Sequence, residues 1–176
     1  MKGKFFSGNL KQRFYQKRWS LFALAVFVMA LLLVTQNVLP NYFAVYYDQT
    51  GCLSHRFYFW HKWQKQTIER GDTIFGKAVH MQPFVADGET IGKQVIGIAG
   101  DTVEIKNGIV KINGKQIGDV VYGAKRLKLP ITHWDKVYTL KHGELFLYGT
   151  SKKSYDSRYW GVYQESHVYG IVRPIF

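Results

Sequence analysis

The chain has 176 residues, a formal net charge of +12 and one cysteine. At 47% hydrophobic, 16% aromatic and 20% charged it is neither disordered nor collagen-like, and its length suits one domain with a real core plus an appendage. The single cysteine excludes an internal disulfide framework and a cysteine-based zinc cluster, while a pI near 9.7 points first to nucleic acid, unless the charge has a local explanation.

It has one. Residues 1–18 hold Lys2, Lys4, Lys11, Arg13, Lys17 and Arg18 and no acid, so half of the net charge precedes Trp19. An unbroken apolar run follows over residues 21–34. With Trp19 on one side and the mild stretch 35–39 on the other it reaches the length of about 20 residues that a membrane helix needs, and Pro40 is expected to end it. A cleaved leader wants small residues at its cleavage site, and Val34-Thr35-Gln36-Asn37-Val38 offers none. A buried core helix would show a polar face, and this run shows none. The expectation is a basic head at 1–18 in the cytoplasm, an uncleaved transmembrane anchor at 19–39, and a domain at 40–176 on the far side by the positive-inside rule. The lipid bilayer is therefore an expected partner and nucleic acid is not.

Beyond the anchor the chain reads as all-β. Residues 42–47 and 57–60 are aromatic and β-branched, and 73–79 resembles a third strand. Residues 103–105 and 109–112 alternate about Asn107-Gly108, a strong hairpin signal, and Asn113-Gly114 makes the next turn into 115–117. Residues 145–148 form a strand of buried character closed by Gly149. No helical periodicity of useful length follows the anchor. Residues 118–143 carry no motif and read as an insertion, with Lys125, Arg126 and Lys128 near Pro130 and then His133-Trp134.

The histidines, His55, His61, His80, His133, His142 and His167, have no pair at zinc-helix spacing, so neither a metal nor a cofactor is expected. Gly97-Ile98-Ala99-Gly100-Asp101 lacks the pattern of a phosphate loop, and no serine sits in a nucleophile-elbow motif. Three segments remain. Thr50-Gly51-Cys52-Leu53-Ser54 holds the thiol. Gly92-Lys93-Gln94-Val95-Ile96-Gly97 heads an apolar run with a lysine. Ser154-Tyr155-Asp156-Ser157-Arg158-Tyr159-Trp160-Gly161 packs polar groups between aromatics. Singly, each has a plain structural explanation: a buried small hydrophobe, a solvated edge charge, a salt bridge.

In this order, the three segments resemble the bacterial type I signal peptidases, membrane-anchored Ser/Lys endopeptidases, and within them the conjugative-transfer (TraF-type) branch. The segment from Ser154 to Gly161 carries the resemblance most specifically, followed by Lys93-Gln94-Val95-Ile96-Gly97 with Gly100-Asp101, where the family usually has Arg at the place of Gln94. Arg70-Gly71-Asp72 matches a further family triplet. The first motif departs. Where the family has a Ser-Gly-Ser run, this chain has Thr50-Gly51-Cys52, and the proline expected shortly after is replaced by Leu53-Ser54-His55.

The resemblance implies a signal-peptidase-like β-rich catalytic domain with Lys93 as general base and Cys52 at the nucleophile position; Ser54, two residues on, is the competing nucleophile. It puts the Thr50 hydroxyl and the Cys52 N–H at the oxyanion, Ser154 against the lysine amine, and Asp156 with Arg158 as a pair holding the loop. A lysine at its ordinary pKa of about 10.4 cannot accept a proton at neutral pH, and burial is what the family uses to disfavour its charge. A thiol near 8.5 beside it favours a thiolate–ammonium pair. The implied substrates are exported or pilin-like precursors with small residues before the scissile bond, with other conjugative-transfer components as partners. Hydrolysis and pilin cyclisation both stay open. The alternative is a catalytically inactive assembly protein on the same fold.

Overall fold

The computed structural model describes residues 7–48, 51–61 and 67–175. The chain divides into two compact units, Met1–Phe43 and Ala44–Phe176.

The first unit is helical: α1 (Ser7–Leu33), a π-helical stretch (Val34–Val38) and α2 (Leu39–Tyr42). From Leu21 to Leu39 the large apolar side chains are exposed, and a helix apolar all round is built for an apolar surrounding. Lys17–Tyr42 is long and apolar enough to cross a membrane, at about 1.5 Å per residue against a hydrocarbon core of about 30 Å. Its few polar side chains bond back to its own carbonyls: Thr35 Oγ1 donates to Leu32 O at 2.9 Å and Asn37 Nδ2 to Leu33 O at 3.1 Å. Pro40 does not end the helix, as the sequence suggests. It sits in the first turn of α2, where its missing N–H costs nothing, and the helix runs on to Tyr42.

The second unit is a β structure of two antiparallel sheets with short helices, as expected of an all-β chain. The larger sheet has the order β1-β2-β11-β3-β4-β9-β10, comprising Phe43–Tyr47, Phe57–His61, Val168–Pro174, Thr73–Lys77, Thr90–Gly97, Glu144–Tyr148 and Tyr163–Gln164. The smaller has the order β7-β6-β5-β8: Lys115–Asp119, Ile109–Ile112, Thr102–Lys106 and Lys136–Thr139. Two-residue periodicity decides the faces. In β4, Ile91, Lys93, Val95 and Gly97 turn to the buried side. In β5 and β6, Val103, Ile105, Val110 and Ile112 do the same. Both Asn-Gly turns have positive φ at each residue, 50° and 78° at Asn107-Gly108 and 50° and 79° at Asn113-Gly114, as type I′ hairpins require.

Residues 118–143 contribute to this core. Val120, Ala124, Trp134 and Leu140 are buried with Val103, Ile105 and Phe146, helix α3 (Val121–Leu127) forms there, and β8 pairs with β5. The strand expected over 73–79 stops at Lys77, after which Ala78 N bonds to Glu89 O at 2.7 Å.

Candidate active site

The site is built from two neighbouring strands of the larger sheet, β4 and β9, and from the segments that follow β1 and β9. Alternation in β4 puts Lys93 on the core side between Ile91 and Val95, leaving it 6% exposed. Its amine donates to Ser154 Oγ at 3.1 Å, and Ser154 is itself buried. Among the described residues no carboxylate pairs with this lysine. The site therefore tolerates a buried amine held by one neutral hydroxyl.

Ser154 is fixed by the turn that follows β9. Asp156 caps the short helix α4 (Ser157–Trp160), accepting from Arg158 N at 3.2 Å, and its Oδ2 accepts from Gly149 N at 2.9 Å. The Arg158 guanidinium grips both oxygens of Asp156, Nε to Oδ1 and NH2 to Oδ2, each at 2.8 Å. It also donates to Asp119 O and Ser154 O and lies 4.5 Å over the Tyr148 ring. Burial opposes the Arg158 charge, but the hydrogen bonds and charge of Asp156 outweigh it and hold the guanidinium above its ordinary pKa. Gly149 is glycine because a Cβ there would collide with Ser154 Oγ and meet Cys52 O at 3.0 Å.

Cys52 is half-buried and clamped through its backbone. Its carbonyl accepts from Thr150 N at 2.8 Å and from the Thr150 hydroxyl at 3.3 Å. Next to it, Leu53 N donates to the buried Asp48 Oδ2 at 2.9 Å. The Tyr46 phenol is pushed up, by burial first and then by Asp48 and Cys52. Cys52, Lys93 and Ser154 line one cavity of about 390 Å³, within the usual range of ligand pockets. Ser54 is exposed, bonded to His55 Nδ1 at 2.9 Å, and does not line that cavity. Thr50 lies outside the described residues.

The other motif residues brace the far end of β4. Arg70 donates to Ile96 O at 2.6 Å and to Asp101 Oδ1 at 2.7 Å; Asp101 also accepts from Ile98 N and Asn113 Nδ2, both at 2.8 Å. Asp48 and Thr150 escape sequence reading because they act on backbone groups, a role with no residue-type signature. For Asp48 the available signal is one acid beside an aromatic strand. No group of three or more potential metal ligands occurs among the described residues.

Comparison with known proteins gives this arrangement a family. The profile "Signal peptidase, peptidase S26" matches residues 16–176. Signal peptidase I V of Bacillus subtilis (strain 168) is 26% identical over 129 residues, covering 68% of each chain. A crystal structure of a signal peptidase I from Enterococcus faecalis V583 aligns with a TM-score of 0.40 at 21% identity, over 61% of this chain and 98% of that one. With the profile extending from the apolar helix to the last residue, the chain belongs to the signal peptidase family, peptidase S26.

Proposed function

We propose that the chain is a membrane-anchored endopeptidase that runs the family's reaction with a Cys/Lys pair. The observation that carries this is the buried Lys93 amine on Ser154 Oγ, opening on the same cavity as Cys52. The Cys52 thiolate attacks the scissile carbonyl, and the carbonyl oxygen becomes the oxyanion. The Lys93 ammonium gives its proton to the leaving amine as the C–N bond breaks, leaving a thioester on Cys52. Neutral Lys93 then takes a proton from water as it attacks the thioester, and the C–S bond breaks to release the acid and restore the thiolate–ammonium pair; an amine of the same chain attacking instead closes a ring. The Cys52 N–H and the Thr50 hydroxyl are assigned to the oxyanion, each such donor being worth about 10²–10³ in rate.

The substrate is an exported or pilin-like precursor in extended pose with small residues before the cut, and the setting is conjugative transfer. The segment from Ser154 to Gly161 supports this branch. The basic head before the apolar helix supports a cytoplasmic N-terminus and a catalytic domain on the periplasmic side of the inner membrane.

The test is precursor cleavage by the full chain in detergent. Iodoacetamide inactivates in proportion to Cys52 labelling, and Ser54→Ala keeps turnover. Loss of turnover in Ser54→Ala, with insensitivity to alkylation, moves the nucleophile to Ser54. The rival, a non-catalytic assembly protein, predicts no cleavage, with conjugation fully restored by Cys52→Ala.

A further inference from the structure

Resting on the peptidase reading of this cavity, we infer that its far wall binds a carboxylate on the substrate, an Asp or Glu side chain near the scissile bond, and that Arg126 is the residue that selects it. The cavity that Cys52 and Lys93 line is closed on another side by α3, which lies in residues 118–143 and outside the motifs of the catalytic segments. The Arg126 guanidinium carbon lies over the Phe84 ring, 4.5 Å from its centroid. A cation–π contact consumes none of the N–H donors of the guanidinium fork, which stay available to another group. Among the described residues the fork has no hydrogen-bond or ion-pair partner. Among the described residues Lys153, also on the wall, has no carboxylate within ion-pair distance either, and Glu89, the carboxylate that lines the cavity there, pairs with neither cation.

The shelf under Arg126 is held in place. Phe84 meets Tyr155 edge-on at 4.9 Å, Tyr155 stacks on Tyr159 at 5.6 Å, and the Tyr159 hydroxyl accepts from Gly123 N, one turn back on the helix that carries Arg126. Gly123 permits that approach, since a Cβ there would run into the Tyr159 ring. The cation is thus positioned before substrate arrives, which reduces the ordering cost of binding. A planar fork against an aromatic wall fits a carboxylate, which accepts two parallel N–H bonds.

The probe is a set of fluorogenic peptides with alanine before the cut, in which Glu, Gln or Lys is placed in turn at each other position. The full chain in detergent is expected to prefer Glu over Gln by about tenfold in kcat/KM at one position, the yield of one charge-assisted pair. Arg126→Gln brings that ratio to about one, and Arg126→Glu turns the preference to Lys at the same position. Equal turnover of Glu and Gln peptides at every position overturns the proposal, and so does a Glu preference that survives Arg126→Gln. Binding of the same peptides to Cys52→Ala, read by anisotropy, separates this proposal from the catalytic one. Tighter binding of the Glu peptide, lost in the Cys52→Ala, Arg126→Gln double variant, supports the carboxylate site even if no peptide is cut. Equal binding of Glu and Gln peptides there overturns it.

Discussion

Lys93 is a buried polar side chain with little around it to offset its burial. It is buried, it carries one hydrogen bond to a neutral hydroxyl, and no carboxylate among the described residues compensates it. An apolar side chain of similar length removes that burden. Lys93→Met is expected to raise stability by about 1–3 kcal/mol, read by chemical denaturation, while abolishing turnover. A loss of stability on that substitution would mean that the amine is structural. Arg158 is the opposite case, a buried charge satisfied by both oxygens of Asp156. Arg158→Ala strands Asp156 and is expected to cost about 3–5 kcal/mol by the same measurement. The contacts of Lys93 with Ser154 and of Asp156 with Arg158 were suggested by the family resemblance, since each segment alone has a plain structural explanation. Arg126 was not, because a lone basic residue in a motif-free stretch reads as solvated surface until Phe84 and the cavity are seen beside it.

Among the elements, hairpins set by turn chemistry and strands of aromatic or β-branched composition were legible, and strands without either signal were not. Asn107-Gly108 and Asn113-Gly114 dictate their hairpins through positive φ, with no help from the rest of the chain. Strand β11 depends on β2 and β3, which lie far back in the sequence, and its Gly170 and Pro174 blur the alternation. Gly170 is nonetheless required, since a Cβ there would strike the Trp60 indole. Strand β8 is mostly exposed, so it shows little apolar alternation to read. The loop bracing β4 carries a pH-dependent share of stability. Burial opposes the Asp101 charge, but Arg70, Ile98 N and Asn113 together hold its carboxyl below the usual range. Its contribution is therefore complete above the unfolded carboxyl pKa of about 3.9 and is lost as pH falls through the lower folded value. Urea midpoints of wild type and Asp101→Asn should differ at pH 6 and converge as pH falls through the lowered carboxyl range; a constant gap would remove the charge from the explanation.

For the whole molecule, the charge that first suggested nucleic acid bears on the proposed topology. Half of it precedes an apolar helix able to cross a membrane, and the β unit follows that helix. The single cysteine makes the topology directly measurable. A membrane-impermeant maleimide should label Cys52 in intact spheroplasts, and labelling only after lysis would place the β unit in the cytoplasm. The same thiol carries the chemical claim, since Cys52 stands where the family resemblance puts a serine. The most direct test is kcat/KM for precursor cleavage by Cys52→Ala in the full chain. The account predicts a fall of at least about 10³-fold, as for loss of a nucleophile, with Cys52→Ser keeping part of the activity. Cleavage by Cys52→Ala within about twofold of wild type would contradict it.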